Sequence, residues 1–405
     1  ILQNIYGKEQ VEYVRNITDV DDKINARAKK LGISIGELTK KTTEEFHKDT
    51  AYLQCLSPSA EPRATDNIAG MIKIIENLLS TGHAYIAKDH VYFDVTSYPD
   101  YGRLSGRKLY DMIAGARIEI EKAKRHPGDF VLWKPADIDD NPSSIFESPW
   151  GMGRPGWHIE CSAMSYRYLG SNFDIHGGGA DLIFPHHTNE IAQSCCGFSE
   201  SKFASYWVHN GFLTVSGEKM SKSLDNFITV HDLREKKVKG EIIRYLLLST
   251  HYRKPLDFSD KAIYDATESL NYIYRAIEGI ELIPNSSPDP KFLSFLLDDM
   301  NTSEAFSYLH EKAKELNKTT DMQTKTLLSS NIKVSANMMG LLSMESSAWF
   351  THGIDAAEVE MIIETRKAAK SLKDWAEADH LRKKLLSMGV IIEDHPDGTT
   401  SWRAR

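Results

Sequence analysis

The chain has 405 residues, enough for two to four domains, with 41% hydrophobic, 26% charged and 10% aromatic residues. That balance excludes wholesale disorder, collagen-like repeats and a coiled-coil rod. A formal charge of −8 argues against indiscriminate nucleic-acid binding, while a local basic surface could still grip a polyanion. No apolar run approaches the roughly 20 residues needed to span a bilayer, so no membrane partner is expected. The mean hydropathy of −0.40 agrees. Four cysteines are too few for a disulfide scaffold, which points to a reducing, cytoplasmic setting. The chain opens on Ile1 with no signal-peptide pattern, and a further segment is expected upstream.

The first forty residues read as a strand and then a helix. Val11, Tyr13, Val14 and Ile17 form the apolar stretch. The acidic turn Asp19, Asp21 and Asp22 opens a helix that Gly32 stops. Helical periodicity continues through Ile35–Leu56 and Ile68–Leu79. From Ala84 to Asp94 aromatic and β-branched residues alternate, and short strands continue to Lys134, which predicts a small mixed insert. Phe173–Ile175 reads as a short strand that empties into His176 and Gly177–Gly179, with a helix starting near Pro185. Asp260–Met344 is helical, with a polar break at Asn285–Pro290. Asp355–Arg405 predicts one long amphipathic helix and a short strand, Val390–Ile392, with a Gly-Thr-Thr turn.

Pro185 at a helix start puts His186 and Glu190 four residues apart, on one helical face, where an imidazole and a carboxylate can chelate one metal. Cys161, earlier in the chain, supplies a plausible thiolate, and the mixed set suits Zn²⁺ better than Mg²⁺ or Ca²⁺. A histidine capping a helix beside a surface glutamate would share that spacing. Trp157 lies one turn before Cys161 and could flank the same site. The glycines after His176 allow close backbone approach to a ligand at a strand end. Lys219-Met220-Ser221-Lys222-Ser223, preceded by Gly217, places two lysines and two hydroxyls where they could neutralise a triphosphate.

Taken in order, these residues resemble a family. Asn16–Lys23, Arg154–Cys161, His176–Gly179 and Pro185–His187 follow the succession seen in cysteinyl-tRNA synthetases. Lys219–Ser223 is similar to the KMSKS signature of class I synthetases. The resemblance covers nearly the whole chain, through Trp402 and Arg403. It implies an α/β fold: a Rossmann-like class I catalytic domain with a mixed α/β insert, then a helical bundle and a small C-terminal anticodon-binding domain. The implied boundaries are catalytic halves at 1–64 and 150–212 around a connective insert at 65–149. A KMSKS and stem-contact region follows at 213–262, the bundle at 263–348 and the anticodon domain at 349–405. The family also carries an N-terminal strand with a zinc-ligand cysteine and a HIGH motif that binds ATP. Neither occurs from Ile1 onward, so both are expected upstream. The sequence from Ile1 is expected to be inactive by itself, and its parent active.

The resemblance implies a cysteine–tRNA ligase that activates L-cysteine with ATP and transfers it to tRNA(Cys). One zinc ion would be held by Cys161, His186 and Glu190 and would select the thiol over a serine hydroxyl, with Mg²⁺ accompanying ATP. Lys219 and Lys222 become the catalytic cations, and Ser221 joins them in binding ATP. Thr18, Trp157 and His176 become the lining of the cysteine pocket. The stretch Arg366–Lys384 carries seven Lys and Arg against three Asp and Glu. Trp375, Asp379, Lys370 and Asp394 become the anticodon readers, by stacking and by hydrogen bonds to base edges. A monomer is expected. Two rivals are the cysteine ligase of mycothiol biosynthesis, which would not need the basic C-terminal unit, and a non-catalytic zinc- and tRNA-binding relative.

Overall fold

A computed structural model gives the fold and describes residues 1–106, 123–137, 140–220, 226–284, 286–351, 355–395 and 399–404. The chain divides into two compact units, Ile1–Gly240 with Thr250–Ser259, and Glu241–Ser249 with Asp260–Arg405.

In the first unit, Val14 and Ile17 make isolated parallel bridges to Ala60 and Arg63. The chain then turns into α1 (Asp22–Leu31), where the Asp21 carboxylate accepts from the Lys23 amide at 2.7 Å. Gly32 ends the helix in the left-handed region that its missing Cβ permits. A reciprocal Ser34–Glu37 capping box starts α2 (Ile35–Tyr52). Met71, Ile74, Ile75 and Leu78 recur at helical spacing along α3 (Ile68–Ser80) and are fully buried. They share a core with Phe93, Leu132, Trp133, Ile159 and Met164. The insert folds as an antiparallel sheet of β1 (Ala84–Ala87), β2 (His90–Phe93), β3 (Phe130–Pro135) and β4 (Gly153–Pro155).

β4 leads into α4 (Trp157–Leu169), followed by β5 (Asn172–Gly179). The expected short strand is therefore longer: β5 runs through His176 and all three glycines. Its parallel pairing with β6 (Phe203–Asn210) uses main-chain groups and needs no side chain there. The helix expected near Pro185 begins later, as α5 (Thr188–Gly197), after a wide turn over Ile183–His187 that Phe184 interrupts with extended dihedrals. β7 (Leu213–Val215) pairs antiparallel with β8 (Glu218–Lys219) and parallel with β9 (Leu256–Phe258).

The second unit contains α6 (Asp260–Ala276), α7 (Pro290–Leu297), α8 (Thr302–Lys318) and α9 (Met322–Met338). Its buried charge Glu241 is satisfied: the Tyr274 hydroxyl donates to it at 3.0 Å, the Leu342 amide at 2.7 Å and the Ser343 hydroxyl at 2.9 Å. The last segment corrects the reading of one long helix. α10 (Ala356–Ser371) and α11 (Trp375–Ser387) are separate. Lys373 turns left-handed at φ 60°, and Asp374 caps α11 by accepting from the Glu377 amide at 3.1 Å. Val359, Ile362, Ile363, Leu381, Leu385 and Val390 form their core. β10 (Val390–Asp394) and β11 (Thr400–Ala404) close the unit as a hairpin. Among the described residues, no helix is long and apolar enough to cross a membrane.

Candidate active site and metal centre

Helix α4 carries Trp157, His158, Glu160 and Cys161 in its first turns, and α5 packs beside it with Glu190 in its own first turn. Glu190 is completely buried. The His186 Nε2 lies 2.6 Å from its Oε1 and the His176 Nε2 lies 2.9 Å from its Oε2. These approaches are close, yet neither carboxylate oxygen accepts a well-aligned hydrogen bond. Nitrogen and oxygen lone pairs that converge without aligned protons are what a shared cation requires.

Ligand atoms of Cys161, His186 and Glu190 all lie within 4.8 Å of one another, as do those of His176, His187 and Glu190. The first set contains sulfur and suits zinc, which takes thiolate, imidazole and carboxylate. The chemistry of these donors therefore fits the implied metal. In the second set, the His187 Nδ1 is already engaged with the His209 Nε2 at 2.8 Å.

Electrostatics around the cluster follow from burial. Burial works against the Glu190 charge, but the attraction of His176 and His186 outweighs it and holds the carboxyl below its usual range. Burial, then the Glu190 and Glu160 carboxyls, push the Cys161 thiol well up. The Asn16 amide lies 3.7 Å from that sulfur and donates to it. Burial lowers His158 and His187 to about 3, so both are neutral imidazoles. The His158 Nδ1 meets the His186 Nδ1 at 2.8 Å. With His158 neutral, one ring donates and the other accepts, which fixes how the His186 ring faces Glu190. Burial, then Asp21 and Asp19, raise Glu160 to about 9, so it keeps its proton at neutral pH.

The expected pocket residues divide. Trp157 lies against His186, ring centres 4.2 Å apart, and against His158 at 5.3 Å, and is 45% exposed. His176 is part of the cluster. Thr18 is half-buried beside Asp19 and Val20 and makes no hydrogen bond to the cluster among the described residues. Gly178 is approached by protein, because a Cβ there would stand 2.9 Å from the His187 Cε1. Lys219 lies in β8, paired through its backbone with Thr214. Ser221 and Lys222 lie outside the described residues.

In the C-terminal segment, Arg366, Lys370, Trp375, Asp379, Arg382 and Lys383 line an open groove. Trp375 is 63% exposed. Asp379 is exposed and faces Lys383 at 3.5 Å. Asp394 is already engaged: Arg366 donates to both its oxygens at 2.9 Å, Lys370 at 3.0 Å and the Thr400 hydroxyl at 2.8 Å. Lys370 is thus held by the same carboxylate.

Residues 1–268 match the family described as tRNA synthetases class I (C) catalytic domain, 291–343 the DALR domain, and 356–403 the cysteinyl-tRNA ligase anticodon binding domain. Cysteine–tRNA ligases of Rickettsia bellii (strain OSU 85-389) and Rickettsia africae (strain ESF-5) are each 56% identical over 403 residues, covering 100% of this chain and 88% of each relative. The chain belongs to the cysteinyl-tRNA synthetases. The fold is also similar to that of a Mycobacterium tuberculosis methionyl-tRNA synthetase bound by methionyl-adenylate. That likeness has a TM-score of 0.55 at 14% identity, covering 80% of this chain and 81% of the other.

Reading the sequence of this cysteinyl-tRNA synthetase missed several residues of the cluster. His158 and Asn16 lie within Arg154–Cys161 and Asn16–Lys23, where spacing alone gives neither of them a role. His209 and Trp207 alternate along β6 and share a face with His176 and Gly178 through the β5–β6 register. That alternation was a usable signal, but it has meaning only once the pairing is known.

Proposed function

We propose that this cysteinyl-tRNA synthetase activates L-cysteine with ATP and transfers the cysteinyl group to tRNA(Cys), with Cys161, His186 and Glu190 reading the substrate thiol. The observation that carries this is the convergence of those three ligand atoms next to the half-open Trp157 indole. Cys161, His186 and Glu190 would hold zinc, which would supply a soft site suited to the thiol of cysteine and poorly matched to the hydroxyl of serine. Ordinary pocket contacts separate substrates differing by one methylene by only about 1–3 kcal/mol, so a donor set of this kind lifts selectivity beyond them.

Trp157, His176 and Thr18 line the remainder of the cysteine site. The substrate carboxylate oxygen attacks the α-phosphorus of ATP, and pyrophosphate leaves with the electrons of the broken P–O bond. Lys219, Lys222 and Ser221 hold the phosphates as charge gathers on that leaving group, and Mg²⁺ accompanies ATP. A hydroxyl of the terminal adenosine of tRNA then attacks the activated carbonyl, loses its proton and displaces AMP. Positioning dominates both steps. Trp375 stacks on an unpaired anticodon base, Asp379 accepts from a base edge, and Lys370 adds charge while Asp394 holds it in place. The protein works as a cytoplasmic monomer. The amino-sugar ligase reading is not favoured, because residues 356–403 match an anticodon-binding domain.

In the intact enzyme, Cys161→Ser should lose zinc and cysteine-dependent ATP–pyrophosphate exchange together. Lys222→Ala should slow adenylate formation on the order of 10²-fold while leaving tRNA affinity intact. Normal exchange by Cys161→Ser would remove the assignment of the thiol-reading site.

A further inference from the structure

The hairpin that carries Lys219 is fastened from outside. β7 and β8 are joined by Ser216 and Gly217, both left-handed at φ 53° and 79°. That is the tight hairpin turn whose twist suits the flanking strands. Ser216 adopts this conformation without the freedom of a glycine, so the surroundings must hold it there. Two groups of β9 do so: the Phe258 carbonyl accepts from the Ser216 amide at 3.4 Å, and the Asp257 carboxylate takes two shorter bonds beside it. The Asp257 Oδ1 accepts from the Gly217 amide at 2.7 Å and from the Thr214 hydroxyl at 2.8 Å.

Thr214 stands opposite Lys219 across the hairpin and opposite Asp257 in the parallel β7–β9 pair. Asp257 therefore ties the turn, the middle of β7 and the edge of β9 to one point. The Met220 amide donates to the Leu213 carbonyl at 3.4 Å, which carries the same register one residue past Lys219. The Gly217 amide and then the Thr214 hydroxyl hold the Asp257 carboxyl below its ordinary range, so it is charged at neutral pH. Asp257 is exposed and no apolar packing accounts for its placement. Its two short contacts are both to the hairpin.

We propose that Asp257 is a positioning residue for adenylate formation: it fixes the Ser216–Gly217 turn and so sets where the backbone of Lys219 leaves the sheet. This rests on the reading of Lys219–Ser223 as the phosphate-holding element. The group acts through main chain and touches neither substrate nor metal. A misplaced phosphate contact lowers turnover without loosening the cysteine site.

The test is ATP–pyrophosphate exchange by the intact enzyme carrying Asp257→Ala, Asp257→Asn, Thr214→Val or Lys219→Ala. Asp257→Ala should lower kcat by about 10–100-fold and raise the KM for ATP. It should leave the KM for cysteine, the zinc content and the melting temperature unchanged. Asp257→Asn keeps the accepting Oδ1 and should retain most of the rate, and Thr214→Val, which removes one of the two donors, should fall between them. Loss of rate with equal changes in both KM values and a lower melting temperature would reduce Asp257 to a structural residue and overturn the proposal. An effect of Lys219→Ala with none from Asp257→Ala would overturn it alone. No effect of Lys219→Ala would overturn it together with the phosphate reading.

Discussion

His186 and Glu190 meet at 2.6 Å although only Glu190 belongs to a regular helix. His186 sits in the wide turn before α5, and its ring is set by Trp157 on one side and His158 on another. The four-residue spacing alone does not produce the contact. It needs the neighbouring α4 to supply the surfaces against which the imidazole rests.

That dependence makes Glu190 the test of the proposed metal centre. Glu190→Gln keeps the volume but removes the charge, and zinc affinity should weaken by more than about 100-fold. Zinc per chain, measured after dialysis against a chelator, should fall from near one to near zero. Retention of a full equivalent would place the metal elsewhere.

Gly178 should be intolerant where Gly177 is not. A Cβ at Gly178 would stand 2.9 Å from both the His187 Cε1 and the Leu182 Cδ1, and His187 is buried. At Gly177 the nearest atom, the Val208 carbonyl oxygen, would be 3.6 Å away, an ordinary contact. Gly178→Ala should cost about 1–3 kcal/mol of stability and raise the KM for cysteine. Gly177→Ala should do neither, and denaturant unfolding with exchange kinetics on both variants decides it.

Trp375→Ala separates the two substrates. The indole is 63% exposed, so its loss should alter stability by no more than about 0.5 kcal/mol. Base stacking is worth about 1–3 kcal/mol, so aminoacylation of tRNA should weaken by that amount. Exchange with free cysteine involves no anticodon and should stay level. Equal losses in both assays would mark Trp375 as structural.

Asp394 gives a pH-dependent stability. Hydrogen bonding to Arg366, then to Lys370 and Thr400, depresses its carboxyl against a smaller opposing effect of burial. A carboxyl depressed in the folded state stabilises fully above its unfolded value, near 3.8, and the contribution is lost as pH falls below it. The Asp394 side chain is 38% exposed, so after allowance for screening the pair is worth about 1–2 kcal/mol. Asp394→Asn should be destabilised by that amount at pH 7, and the difference from the parent should shrink between about pH 4 and pH 2. A constant difference would point to packing instead.

The features the sequence determined by itself are those set by neighbours along the chain. Asp21 and Gly32 mark the ends of α1 because a cap and a left-handed stop act within one turn. The stripe of Met71, Ile74, Ile75 and Leu78 declares its helix because 3.6-residue periodicity is written locally. The four-residue spacing of His186 and Glu190 is legible in the chain, but their contact rests on the wide turn before α5 and on α4 beside it.

Tertiary structure decided whatever depended on a partner remote in sequence. Asn16 reaches Cys161 across 145 positions, and His209 reaches His187 only because β6 lies beside β5. The break between α10 and α11 was hidden because the stretch Arg366–Lys384 reads equally as one helix or two. Burying Leu381 and Leu385 against Val359 and Ile363 requires the chain to reverse, and Lys373 adopts a left-handed turn to allow it. In the sequence Asp394 reads as free for a base edge, whereas in the fold Arg366 donates to both its oxygens. Local propensity is encoded residue by residue, but these contacts exist only after a shared core has drawn distant segments together, and no spacing along the chain records that.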